Sequence, residues 1–220
     1  RVDGLIISIA MQTSTYDHLK LFKKKHIPLV FFDRVVPDIE TDKIVVDDFA
    51  GGFRVTQHLI DQGYKRIAHL AGPLNLTTYQ DRKNGYINAL QKNGLGYDES
   101  LVIVNTLTSD EGVPAIEQLM ELPNPPDAIF CGNDTTALSV MIYLRDKGIK
   151  IPEEMGIVGF SNEPFSKVVS PSISTIAQPG FAMGQKAAEL IIQKIENREK
   201  NFQTIVLPTE LIIRESSSRK

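Results

Sequence analysis

One cysteine, Cys131, is all the thiol the 220 residues contain, which leaves neither a disulfide framework nor a thiolate metal site to this chain. It lies inside an apolar run, where a free thiol packs as a small hydrophobe. An excess of one charge is missing as well: 24 Lys and Arg stand against 27 Asp and Glu, a net charge of -3. The densest basic stretch is Lys23, Lys24 and Lys25, too little to grip DNA or RNA unaided. No apolar stretch approaches the roughly 18 to 20 residues of a membrane span, and no charged-then-apolar leader opens the chain. A cytoplasmic location with no membrane partner is the expectation.

Motifs of catalysis are also lacking. There is no G-x-G-x-x-G after a strand and no G-x-x-x-x-G-K-[ST], so dinucleotide and P-loop chemistry lose support. His18, His26, His58 and His69 are scattered without ligand spacing, and no metal or cofactor is expected. "GFSNE" at 159–163 resembles a nucleophile elbow, but Glu163 stands where that tight turn needs a small residue. Ser161 is therefore not expected to act as a nucleophile, and the chain is not expected to be an enzyme.

What is present is ordinary globular composition, 42% hydrophobic and 23% charged, enough to bury a core. Short apolar runs recur: "GLIISI" at 4–9, "IPLVFF" at 27–32, "KIVV" at 43–46, "RIAHLAG" at 66–72, "LVIV" at 101–104, "AIFC" at 128–131 and "GIVGF" at 156–160. Being apolar on both faces, they suit a parallel sheet covered by helices. Helical periodicity fills the gaps at about 51–62, 79–93 and 135–147, closed by Gly63, Gly94 and Gly148, since glycine tolerates the left-handed conformation past a helix end. Strand, helix, glycine, strand describes βαβ units.

The last third departs from this rhythm. "SNEPFSKVVSPSISTIAQPG" at 161–180 has little period and reads as loop or as irregular crossing segment. A long helix is expected from Phe181 to Asn197, with Pro179 near its start. "TIVLPTELIIRES" then reads as an apolar run, a proline interruption and a short strand, and the polar "ESSSRK" end is expected to fray. A chain that leaves one sheet, donates a helix elsewhere and returns suggests two α/β lobes.

Polar residues cluster just past the apolar runs: Asp33 and Arg34, Asp47 and Asp48, Asn105, Asn133 and Asp134, Ser161 and Asn162. Open parallel sheets bind ligands outside the carboxyl ends of their strands, so Asp33 and Asn133 are candidates to hold one small molecule from opposite lobes. Helix capping is the competing reading for each. Arg82 falls near the first turn of a helix, where the helix dipole disfavours a cation by about 0.3 to 1 kcal/mol. Something else must hold it, and its rigid fork of donors suits hydroxyl pairs or a carboxylate.

The segment from Asp127 to Pro179, with "VDGLII" at 2–7, "GYKRIAHLAGP" at 63–73, "DRKNGYINAL" at 81–90 and "LPTELIIRESS" at 207–217, closely resembles the effector-binding core of LacI/GalR-type transcription regulators. The resemblance implies a periplasmic-binding-protein-like type I fold: two doubly wound parallel-sheet lobes with three crossovers, the first lobe incomplete at its N-terminus. The lobes would comprise 1–46 with 177–203, and 47–176 with 204–220. Carried over by motif, Asp33, Arg82 and Asn133 would bind a sugar-like effector, Gln178 would lie near the hinge, and Ser161 stands where the family often has an acidic residue. That departure removes a charged acceptor.

The resemblance also implies a homodimer, for which Leu138, Met141 and Val169 are candidates, with core packing as the alternative. Operator DNA would be reached only through an N-terminal helix-turn-helix absent from this chain, under allosteric control as in a repressor. A freestanding sugar-binding protein of a transporter has the same fold and is the alternative.

Overall fold

The computed structural model describes residues 2–13, 15–196 and 201–219. Along the chain run β1 (Leu5–Ile7), α1 (Asp17–Lys24), β2 (Leu29–Phe32), β3 (Asp42–Val46), α2 (Asp48–Asp61), β4 (Ile67–Ala71), α3 (Thr77–Lys92) and β5 (Val102–Val104). They are followed by α4 (Ser109–Met120), β6 (Ala128–Cys131), α5 (Asp134–Asp146), β7 (Gly156–Ser161), β8 (Ser174–Ala177), α6 (Gly180–Ile195), β9 (Thr204–Leu207) and β10 (Glu210–Ile212). All the apolar runs expected as strands are strands, and the glycine stops are present at φ 87°, 69° and 79°. No helix among the described residues is long and apolar enough to cross a membrane.

The chain divides into two compact units. The first comprises Arg1–Asp47, Leu76–Thr78 and Pro179–Pro208. Its four-stranded sheet, in the order β1-β2-β3-β9, is parallel throughout. Val30, Ile44 and Val46 pack against Met183, Ala187, Leu190 and Ile191 of α6. Buried Asp42 ties this unit together, accepting from Gln203 N at 3.0 Å and lying 3.2 Å from Lys194 Nζ. The expectation that residues 204–208 belong with the second lobe is corrected here. β9 pairs with β3 from Lys43↔Thr204 to Val46↔Leu207, satisfying backbone groups that would otherwise lie bare on the β3 edge. The expected end of the long helix, Asn197, lies outside the described residues.

The second unit comprises Asp48–Asn75, Tyr79–Gln178 and Thr209–Lys220. Its six-stranded sheet runs β10-β8-β7-β6-β4-β5, parallel except for β10, which is antiparallel to β8. Strand alternation sends Ala68, Leu70, Ile129, Cys131 and Ile157 to one core with Ile116, Leu119, Val140 and Leu144 of α4 and α5. Ile67, Ala128, Phe130, Val158 and Phe160 enter the other core with Val55, Leu59, Tyr86 and Leu90 of α2 and α3. Both faces are thus covered, which is why the strands read as unbroken apolar runs.

Three segments differ from expectation. β8 lies inside the stretch that reads as loop, because Ser174 and Thr175 face hydrogen-bond partners rather than solvent. α4 carries Gly112 and Pro114, which disguise its period. The serine-rich end is not frayed: Ser216 and Ser217 are fully buried. Ser216 Oγ donates to Ile157 O at 2.6 Å and accepts from Ser174 N, while Ser217 Oγ bonds Ser174 Oγ and lies 2.8 Å from His58 Nε2.

Candidate ligand-binding residues at the strand ends

In the second unit β6, β7 and β8 are parallel neighbours, so the residues that follow them share one rim. Asn133, Ser161 and Gln178 are all on it. Asn133 is the N-cap of α5: its Oδ1 accepts from Thr136 N at 2.8 Å and its Nδ2 donates to Leu107 O at 2.8 Å. Capping is therefore one of its tasks, and the residue as a whole is half-buried. Asp134 turns inward. Wholly buried, it accepts from Thr175 Oγ1 at 2.6 Å and from Glu163 N at 2.7 Å. Burial pushes its carboxyl above the usual range.

Arg82 is 4% exposed. Its Nε donates to Asp48 Oδ1 at 2.7 Å and its Nη1 to Gly132 O at 2.8 Å, and its guanidinium lies 3.5 Å over the Phe160 ring. The acid that holds it is thus inside the protein, in the first turn of α2. The position of Asp48 after an apolar run was legible, but nothing in the sequence pairs residues from two helices. Through Gly132, the arginine also braces the turn that presents Asn133.

Ser161 ends β7 with φ 115°, and Asn162 follows with φ 56°. Neither is glycine, and two such residues in succession are uncommon. Asn162 N donates to Thr175 Oγ1 at 3.1 Å, and Asn162 Oδ1 accepts from Arg214 Nη2 at 2.8 Å. Arg214 is a residue that the sequence did not single out. A cavity of about 910 Å³ in this unit is lined by Pro152, Glu153, Ser170, Arg214, Glu215 and Arg219 among others, beside the segments that precede β7 and β8.

In the first unit, Asp33 follows β2 in the left-handed region at φ 59°. Its N donates to Ile44 O at 2.9 Å and its carbonyl accepts from Thr78 Oγ1 at 3.3 Å, which fixes the turn. Ser8 Oγ and Arg34 Nε each lie 3.4 Å from Asp33 Oδ2, and Arg34 Nε also donates to Ser8 Oγ at 3.3 Å. Ser8 and Arg34 thus join Asp33 in a small polar group.

Of the interface candidates, Met141 is corrected: it is 1% exposed inside the α4 and α5 core and offers no surface to a partner. Leu138 and Val169 are partly buried against that core. The side chains that do face outward nearby in sequence are Val168, 75% exposed, and Ile142, 41% exposed.

Residues 56–217 match the family model described as a periplasmic binding protein-like domain. Among curated proteins, the chain is 32% identical over 216 residues to the HTH-type transcriptional repressor PurR of Vibrio atlanticus, covering 97% of this chain and 64% of that protein. It is 32% identical over 190 residues to the HTH-type transcriptional repressor CytR of Escherichia coli, covering 86% and 56%. The chain thus spans less than two thirds of the length of these relatives. Among solved structures, a complex of the transcriptional regulator CelR with cellobiose superposes with a TM-score of 0.89 at 32% identity, covering 98% of this chain and 66% of that one. A LacI family transcriptional regulator from Enterococcus faecium with bound ribose gives 0.89 at 27% identity, covering 99% and 80%.

Proposed function

Because the chain belongs to the periplasmic binding protein-like family, as the effector-binding domain of a LacI-type transcription regulator, we propose that it senses a small sugar or sugar derivative. The observation that carries this reading is the set of neutral hydrogen-bonding groups, Asn133, Ser161 and Gln178, along one strand-end rim. The charged groups beside them, Arg82, Asp48, Asp134 and Arg214, are already paired or hydrogen-bonded within the unit. Amides and hydroxyls suit a polyol. Asp33, with Ser8 and Arg34, supplies the polar group of the other unit. The cellobiose and ribose of the two similar structures point to the same class of ligand.

In this reading the effector binds in the cleft between the lobes and favours one arrangement of them, by no more than its difference in affinity for the two states, typically about 1 to 3 kcal/mol. The protein works as a homodimer in the cytoplasm, and operator DNA is contacted by an amino-terminal helix-turn-helix outside these 220 residues. It performs no catalysis. The transporter-protein alternative has no feature of its own in its favour, since the curated relatives are repressors.

Calorimetric titration with a panel of sugars that includes ribose and cellobiose tests the proposal. Asp33→Gly removes the carboxylate while accepting the left-handed backbone, and Gln178→Ala removes an amide from the rim. Each is expected to weaken the sugar that binds by at least about tenfold, or 1.4 kcal/mol. A sugar held equally well by both variants rules out this site.

A further inference from the structure

Ser161 and Asn162 form a turn with both residues at positive φ, 115° and 56°, the first unfavourable for any residue with a side chain. Strained residues of this kind persist only where the surroundings over-determine them. The turn is held from two sides by ionisable groups that lie far from it in sequence. On one side Asp134 accepts from Glu163 N at 2.7 Å, and Thr175 Oγ1 bridges Asp134 Oδ1 and Asn162 N. On the other side stands Arg214, just past β10. Its Nη2 donates to Asn162 Oδ1 at 2.8 Å, and its Nη1 donates to Ser166 Oγ at 3.0 Å and to Ile173 O at 2.7 Å. The Arg214 backbone is itself fixed, its N donating to Ser174 Oγ at 2.8 Å.

We propose that Arg214 is a positioning residue for effector binding: its guanidinium fork locks the strained Ser161–Asn162 turn, and so aims the Ser161 hydroxyl at the rim. This rests on the reading of Ser161 as an effector contact. A lysine could not substitute, because one ammonium cannot satisfy three acceptors spread over Asn162, Ser166 and Ile173 with the geometry of a planar fork. The same fork reaches the 3-10 turn Pro164–Lys167, which leads directly to exposed Val168. The Ser161 turn and this outward-facing segment therefore share one anchor.

Hydrogen exchange followed by mass spectrometry on the full-length protein, with ribose and cellobiose titrations on the same samples, tests this. Arg214→Lys removes the fork. Asn162→Gly removes its acceptor while relieving the backbone, and Asn162→Asp keeps an acceptor. Amides 161–168 are expected to exchange about tenfold faster in the first two variants and at the wild-type rate in Asn162→Asp, with β6 and α5 unchanged in all. Exchange unaltered at 161–168, or raised uniformly through the unit, overturns the proposal.

Whichever of the two sugars the wild type binds is expected to be held about tenfold more weakly by Arg214→Lys and Asn162→Gly, and restored in Asn162→Asp. A loosened turn with unchanged sugar affinity also overturns the positioning role. A wild type that binds neither sugar counts against the effector reading, and the exchange result then decides on Arg214 alone.

Discussion

Arg82 and Asp48 stand 2.7 Å apart, Nε to Oδ1, with side chains only 5% and 6% exposed. Their meeting follows from two glycines. A Cβ on Gly52 of α2 would overlap the carbonyl of Arg82, and a Cβ on Gly85 of α3 would overlap that of Phe49. The helices therefore cross backbone to backbone, and the first turn of α2 brings Asp48 beside Arg82. In that position the arginine serves the protein, bracing Gly132 and the turn to Asn133.

Removing one partner of this pair leaves the other charged and buried. Arg82→Met or Asp48→Leu alone is expected to lower stability by about 3 to 5 kcal/mol, whereas the double variant recovers most of the loss. Urea unfolding at constant m-value measures it. Single variants that each lose less than about 1 kcal/mol would show that the pair is solvated.

The helix crossing makes its own prediction. Gly85→Ala must push α2 from α3 and is expected to lose about 1 to 3 kcal/mol or more. Gly184→Ala in α6 meets nothing within 4 Å and is expected to gain up to about 1 kcal/mol from helix propensity. Thermal unfolding of the two alanine variants gives opposite signs if the crossing is as close as described.

His69 links the same unit to pH. It is enclosed by Phe130 and Tyr86, its Nδ1 lies 3.0 Å from Phe130 O, and its Nε2 has no hydrogen-bond partner among the described residues. Burial first, then the nearby Arg82 and Lys83 charges, bring its pKa down from 6.5 to about 4. The unfolded chain thus takes up this proton at higher pH than the folded one. Stability is expected to be complete above pH 6.5 and to fall by about 2 to 4 kcal/mol on acidification to about pH 4. Asp134, raised by burial, works in the opposite direction and His58, lowered by burial, in the same one. Comparison with His69→Phe isolates the histidine: the slope must flatten between those pH values.

Surface and core separate at the interface candidates. Met141→Ala is expected to lose about 2 to 5 kcal/mol of stability through a cavity. Val168→Asp is expected to leave stability within about 0.5 kcal/mol and to dissociate the proposed dimer in sedimentation velocity. A Val168→Asp protein that remains dimeric excludes this segment from the interface.

The central strands of the larger sheet were legible because a doubly covered parallel sheet demands apolar residues on both faces, a pattern that survives in "AIFC" and "GIVGF". The strand β8 was not, because Ser174 and Thr175 are buried by satisfying their hydroxyls rather than by being apolar. For the same reason the serine-rich end read as frayed. Asn133 and Ser161 were found by their place after strands, and Gln178 only through the family resemblance. The pairings of Asp48 and Arg214 were not legible because their partners come from other elements, a relation fixed only once Gly52 meets the Arg82 backbone, Gly85 meets the Phe49 backbone and β10 lies beside β8. The placement of Thr204–Leu207 failed on similar grounds: a short strand does not announce which sheet it joins.

Ser216 and Ser217 close the amino-end side of β7 and β8, and they follow α6 and β9 in the chain. On a ribosome, the larger unit therefore waits for its edge strand β10 and for these two serines until the last helix and strand of the smaller unit have emerged. The vectorial order of synthesis makes the two units mature nearly together, although the larger one has most of its residues long before.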